Sequence, residues 1–369
     1  MRVLVTADTI GGVWTYAREL VQGLARAGVE VVLVSFGDIP AAAQVTWLDG
    51  IRGVTYLPTA FRLEWMQEAQ QDIQASTEYL LNVVKEFSPD VLHLNQYCYG
   101  NLPVNVPRIV VAHSDVVSWW MEVHGEEPPA DGWTGWYRNV VSKGLHGASA
   151  VVAPSRWMIE AIERFYAPTC SRLVIYNGRT PSLFNAHGEK QDFGLCVGRV
   201  WDSGKNVAML AQAKLKSKVV VAGASTSPDT DSLPDVVKSL GSERVEVHGS
   251  KSEMQLRDLY SRAAIYIATS QYEPFGLAPV EAAFSRCAIV ANDIPSLREI
   301  WGDTACYFRR NDAEAMAEAV DRLMSESEVR SMYSVLAYTR ARMRYAASRM
   351  VEEYIALYNS LVSAGELAA

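Results

Sequence analysis

No C-x-x-C pair occurs in this sequence. Its five cysteines, Cys98, Cys170, Cys196, Cys287 and Cys306, are odd in number and widely spaced, which indicates neither a zinc site nor a disulfide framework. No apolar run is long enough to span a bilayer. The opening MRVLVTAD goes straight into a strand, without the cleavage region of a signal peptide. An excess of positive charge is also missing. The formal charge of −8 gives no general attraction to nucleic acid or anionic lipid. The expectation is a soluble, cytoplasmic enzyme with no nucleic-acid partner and at most peripheral membrane contact.

What is present is a chain of 369 residues, 49% hydrophobic and 21% charged, enough for two domains with well-filled cores. Met1–Thr6 reads as a buried strand. A loop carrying Gly11 and Gly12 follows, then a helix with apolar periodicity through Tyr16, Leu20 and Leu24 that ends at Gly28. VEVVLVSFGD is the second strand. The β-loop-α-β opening is like a Rossmann unit, although G-x-G-x-x-G is absent. Gly11 and Gly12 can bring backbone N–H groups to a phosphate or sugar, or can simply serve a tight turn.

Glu64–Phe87 reads as one long helical stretch, stopped by Pro89–Asp90. DVLHLN and RIVVAHSD are two further parallel strands. His113 falls at the exit of the second, where a lone histidine is more often structural and a crevice group is the alternative. His93, inside its strand, reads as a satisfied core residue. Four of the ten tryptophans (Trp119, Trp120, Trp133, Trp136) lie around the loop EVHGEEPPADG. They fit a sugar-binding aromatic–acid surface as well as they fit helix ends packed into a core. ASAVVAPS is a strand, and SRWMIEAIERFY a helix whose cap is Ser155. RLVIYNG and the proline- and glycine-bearing stretch after it mark the crossing into a second domain.

The second domain opens with Phe193–Val200 and the loop GRVWDSGKN. Arg199 and Lys205 there can converge on a diphosphate, one as a fork and one as a point charge, or can merely decorate the surface. KVVVAGA and RVEVHGS are strands, separated by SPDTDSLPD. Asp229-x-Asp231 in that spacer is read as a solvated turn rather than a metal motif. Residues 263–291 make the most informative stretch. Ala263–Ser270 is a doubly buried strand, QYEPFG breaks it, Pro279 suits a first helical turn, and Cys287–Ala291 is the next strand. The loop leaving such a strand faces the ligand crevice. It carries Glu273 and Gly276, with Glu281 in the first helical turn. A carboxylate can accept both hydroxyls of a ribose, and the helix N-terminus offers N–H groups to an anion. Ordinary partnership with the helix dipole is the competing account of these acids. Arg340, Arg342, Arg344 and Arg349 near the C-terminus read as a solvated helix face.

The string EPFGLAPVEA resembles the E-x7-E segment of retaining GT-B glycosyltransferases, in particular family 4 (glycosyl transferases group 1). GGVWTYARELVQGLARAGVEVVLVS, APS, VIYNG, VGRVWDSGKN, HGS, PSLREI and RYAASRMVEEYIALY resemble the family's other landmarks in order along the chain. The resemblance implies an α/β fold of two Rossmann-like domains facing a central cleft. An acceptor-side domain would comprise residues 1–172 plus 350–369, and a nucleotide-sugar domain residues 173–349, with the last helix crossing back. It implies a metal-independent, retaining hexosyltransferase. Such an enzyme would move a sugar from a UDP-, GDP- or ADP-sugar co-substrate, with no other cofactor, to a glycan, lipid-linked or small-molecule hydroxyl acceptor.

Carried over by position, Arg199 and Lys205 would grip the diphosphate and Glu281 the ribose. Glu273 and the backbone of Phe275, Gly276 and Leu277 would meet the donor sugar, with Gly12 approaching from the acceptor side. His113 matches the family's cleft histidine, and Trp14, Trp119 and Trp120 fall on the acceptor side. Asn95 stands where many relatives carry histidine, and the Arg–Lys spacing is one residue longer than in many of them. A nucleotide-sugar epimerase on a GT-B scaffold and a non-catalytic nucleotide- or glycan-binding relative are the competing functions.

Overall fold

The computed structural model describes residues 1–226, 240–241 and 243–368, so Asp229 and Asp231 lie outside the described residues. The chain divides into two compact units. The first comprises Met1–Met121, Glu126–Gly178 and the segment from Ala347 on; the second comprises Glu122–Gly125 and Arg179–Ala346. The five cysteines are free thiols. No helix among the described residues is long and apolar enough to cross a membrane.

The first unit is built on seven parallel strands: β1 (Arg2–Asp8), β2 (Glu30–Phe36), β3 (Val54–Pro58), β4 (Val91–Leu94), β5 (Arg108–Val111), β6 (Ala150–Ala153) and β7 (Ser171–Val174). Their order is β3-β2-β1-β4-β5-β6-β7. Valine-rich runs such as VVLV in β2 are buried on both faces by flanking helices. Helix Gly12–Arg26 buries Trp14, Tyr16, Leu20 and Leu24 on one side of the sheet. Helix Ala347–Ala368 packs against it, contributing Met350, Val351, Tyr354 and Tyr358 to the same core. Gly23 permits the approach, since a Cβ there would stand 2.3 Å from a Val351 methyl.

Several sequence boundaries move. The helix expected from Glu64 begins at Gln70, because Glu64 is buried and accepts a hydrogen bond from the Tyr97 backbone N–H at 2.8 Å. That tertiary contact outweighs local helical preference. The first unit runs to Gly178 rather than 172, because β7 still pairs with β6. Ser155 caps helix Arg156–Tyr166 as its sequence position implies, accepting from the Met158 N–H.

The second unit carries six parallel strands: β8 (Gln191–Val197), β9 (Lys218–Ala222), β10 (Val245–Val247), β11 (Ala263–Ala268), β12 (Ala288–Asn292) and β13 (Cys306–Phe308). They are ordered β10-β9-β8-β11-β12-β13. Both units are thus doubly wound α/β layers. The strand order reverses between β1 and β4 in the first and between β8 and β11 in the second. Ligand crevices open at the carboxyl ends of strands beside such reversals.

Candidate active site

In the second unit the loops leaving β8 and β11 are fastened to each other. The Gln271 and Tyr272 N–H groups donate to Gly204 O at 2.9 and 3.1 Å, and Thr269 Oγ1 donates to Lys205 O at 2.7 Å. Gly223, at the end of β9, lies so close behind that a Cβ on it would stand 1.7 Å from Gly198 O. This backbone contact admits no side chain. The β8 loop is therefore held from two sides.

The seam brings Lys205 and Glu273 together, Nζ donating to Oε2 at 2.6 Å. Ser270 Oγ donates to the same oxygen at 2.9 Å. Arg199 lies on the same loop and pairs with Asp202 at 2.6 Å. Burial works to raise the Asp202 carboxyl, but Arg199, Lys205 and the Gly204 N–H hold it below the ordinary carboxylate range. GRVWDSGKN displays Asp202 without signalling that it pairs with Arg199. Each cation predicted to grip a diphosphate thus stands beside a carboxylate that would have to yield or share it.

Glu281 sits on helix Leu277–Phe284, whose N-cap is Gly276 at φ 87°, a left-handed conformation that suits glycine. The Phe275 side chain is buried and packs edge-on against Tyr345 with centroids 5.3 Å apart, so only its backbone borders the helix end. Tyr266 on β11 donates its hydroxyl to Val197 O at 3.1 Å and is within electrostatic reach of both Glu273 and Glu281. The two acids therefore belong to one neighbourhood at the β8/β11 reversal. Glu281 meets a partner the sequence did not announce: its Oε1 is 2.7 Å from Nε of Arg179. Arg179, in the NGRTP crossing, is 1% exposed. Burial raises the Glu281 carboxyl, with Arg179 and Tyr260 pulling the other way and Glu253 adding to the rise.

In the first unit, Gly11 (φ 91°) caps helix Gly12–Arg26 without a side chain, leaving Gly12 exposed at the end of β1. At the ends of β4 and β5, His113 Nε2 lies 2.7 Å from Asn95 Oδ1. The Asn95 Nδ2 is committed to Thr6 O, so the His113 Nε2–H is the donor. Burial lowers the His113 pKa to about 3, which keeps the ring neutral with Nδ1 as its remaining acceptor. His93 is wholly buried between the hydroxyls of Tyr16 (3.1 Å) and Tyr358 (2.6 Å), a core role.

The tryptophans divide. Trp14 is placed in the core rather than at a binding surface: it is buried against Trp47 and Tyr56 and points its Nε1–H at Gln44 O. Its ring sits on the apolar stripe of its helix, which the sheet must cover. Trp133 stacks on Tyr137 and donates to Met66 O, and Trp136 packs on the core. Trp119 and Trp120 meet edge-to-face, both half-buried. Arg340 donates to the Ile300 and Glu299 carbonyls and Arg349 to Tyr176 O. Half of the basic stretch is therefore structural, closing helix ends and loops.

Two family models match the chain. "Glycosyl transferase 4-like domain" covers residues 11–178 and "Glycosyl transferases group 1" covers residues 185–340. Together the two matches cover most of the chain, which is a glycosyltransferase of family 4 type. Among curated proteins, this glycosyltransferase is 25% identical over 304 residues to alpha-maltose-1-phosphate synthase of Mycolicibacterium smegmatis, spanning 73% of this chain and 76% of that one. Among solved structures, a sucrose-phosphate synthase from Thermosynechococcus elongatus superposes with a TM-score of 0.79 at 18% identity, over 99% of this chain and 100% of that one. Anabaena Alr3699/HepE in complex with UDP-glucose superposes at 0.76 and 15%, over 98% and 100%. Both structural likenesses carry the GT-B fold. The chain is accordingly a GT-B enzyme of family 4 type that transfers a sugar.

Proposed function

We propose that this glycosyltransferase takes a hexose from a nucleoside-diphosphate sugar and passes it to a hydroxyl acceptor with retention of anomeric configuration, without requiring a metal. The single observation that carries this reading is the fastened β8 and β11 loops, which set Arg199, Lys205 and Glu273 at the strand-order reversal of the second unit. Breaking the anomeric C–O bond places negative charge on the leaving diphosphate. Arg199, Lys205 and the first N–H groups of helix Leu277–Phe284 would stabilise it as it forms. Glu281 would accept the ribose hydroxyls, and Glu273 would face the donor sugar, released from Lys205 as the phosphate takes the lysine. UDP-glucose in the HepE complex supports a nucleotide-sugar donor here.

Acceptor attack on the face that the diphosphate leaves, with a phosphate oxygen removing the acceptor proton, needs no side-chain nucleophile. A neutral His113 fits this scheme as a hydrogen-bonding or backbone contact to the transferred sugar rather than as a cationic acid. The deciding experiment follows nucleotide release from UDP-, GDP- and ADP-glucose with and without candidate acceptors. Acceptor-dependent release supports transfer. Consumption of donor without acceptor, yielding an epimer, would replace it with epimerisation, and binding without turnover would leave a nucleotide-binding relative.

A further inference from the structure

Arg179 is the first residue of the second unit's main segment. It is anchored at its backbone: its N–H donates to Tyr345 O at 3.0 Å and it forms a parallel bridge with Ala346. Its guanidinium is buried, with Nε 2.7 Å from Glu281 Oε1 and Nη2 2.8 Å from Glu253 Oε1. The Phe184 ring lies 5.4 Å beneath it. Arg257 reaches the same Glu253 oxygen at 2.6 Å. Arg179 therefore spans two carboxylates from two helices, Glu253–Arg262 and Leu277–Phe284, hydrogen-bonding Glu253 through Nη2 and holding Glu281 by close charge contact at Nε, a reach that the extended guanidinium allows and a lysine point charge does not. Glu253 already has a second cation, whereas among the described residues Glu281 pairs with Arg179. Glu281 keeps 13% of its side chain exposed, so a ligand hydroxyl can still reach it.

We propose that Arg179 is a positioning residue for the donor: it fixes the Glu281 carboxylate in the orientation that accepts the two hydroxyls of the nucleotide ribose. A carboxylate in a site this dry is costly unless paired, and it rotates freely unless one oxygen is tied. Arg179 supplies both the charge and the tie. Glu281 feels Arg179, Glu253, Tyr260 and Tyr266. Removing Arg179 leaves burial and Glu253 pressing it toward the protonated form, which has one oxygen fewer to accept with. The role rests on the ribose-binding reading of Glu281 given above.

Calorimetric affinities for UDP, GDP and ADP, each against its 2′-deoxy counterpart, test the two readings separately. The unaltered protein should prefer the ribonucleotide about tenfold or more. In Arg179→Gln that preference should fall toward unity, with affinity weaker in acid and partly recovered as pH rises and Glu281 ionises. Arg179→Lys should be intermediate, raising KM for donor while kcat stays near normal. Glu253→Gln, which leaves the Arg179–Glu281 pair in place, should keep the preference.

If the unaltered protein binds none of the three nucleotides, or does not distinguish ribose from deoxyribose, the reading of Glu281 fails. If it distinguishes them and Arg179→Gln does so equally well, Arg179 has no positioning role. Loss of the preference in Glu253→Gln would transfer the role to Glu253. Should Arg179→Gln not fold, Arg179→Lys decides: an unchanged ribose preference and KM would overturn the inference.

Discussion

Lys205 and Glu273 come from loops 68 residues apart and meet at 2.6 Å. The pair is half-buried, with side-chain exposures of 24% and 13%. A cation held by a carboxylate is already positioned for a second anion, and under the proposed function an incoming diphosphate would compete for a lysine that is in place. The resting pair keeps each group from standing unpaired in a partly dry crevice.

Arg199→Ala and Lys205→Ala should each lower kcat/KM by about 10²–10³, the cost of removing a preorganised stabiliser of leaving-group charge. Steady-state kinetics with the preferred donor measures this. Turnover within a few-fold of normal in either variant would remove that residue from the diphosphate.

Glu281→Ala should weaken donor binding more than it slows chemistry. Calorimetric titration gives the affinity and single-turnover kinetics the chemical step. Unchanged affinity with a slowed step would assign Glu281 to the reacting centre and not to the ribose.

Acid should destabilise the first unit through two histidines. Burial lowers His93 and His113 from 6.5 to about 3, so below 6.5 the unfolded chain takes up protons that the folded unit refuses. Their stabilising share is complete above 6.5 and is lost as pH falls toward 3. Each histidine contributes a slope of up to about 1.4 kcal/mol per pH unit. Urea unfolding of His93→Gln should show a shallower acid loss than the unaltered chain. An identical slope would mean that His93 already titrates normally.

Glu64 should act with the opposite sign. Burial raises its carboxyl from 4.5 to about 7, against the opposing Tyr97 N–H and Cys98 contacts, so the folded unit holds a proton that the unfolded chain releases. Its share of stability is complete below 4.5 and is lost as pH rises to about 7. Glu64→Gln should therefore gain on the unaltered chain across that interval in paired melting curves. A constant difference between the two curves would show that Glu64 is ionised when folded.

The sequence announced what is local and left silent what is assembled. Ser155 before RWMIEAIERFY reads as a cap because cap and first turn are neighbours in the chain, and it is one. QYEPFG ends β11 and Gly276 opens the next helix, as glycine and proline dictate. The ordered family landmarks placed Arg199, Lys205, Glu273 and Glu281 in one unit, around one sheet reversal.

What the sequence leaves silent depends on contacts distant in the chain. Glu64 reads as helical until Tyr97, far along the chain, claims it. Trp14 is as plausible at a surface as in a core until the Trp47 and Tyr56 rings are found against it. Arg179 carries no local signal at all, since its partners lie 74 and 102 residues downstream. Nothing in the spacing of NGRTP says that its guanidinium is buried.

The helix beginning at Ala347 fills the face of Gly12–Arg26 and supplies the Tyr358 hydroxyl that meets His93. As the chain leaves the ribosome, this material emerges only after the whole of Arg179–Ala346. Until then the nascent first unit must carry an uncovered apolar flank beside Tyr16 and Gly23, a surface for chaperones or for misassociation. Translation order thus gives the earlier-made half the later finish.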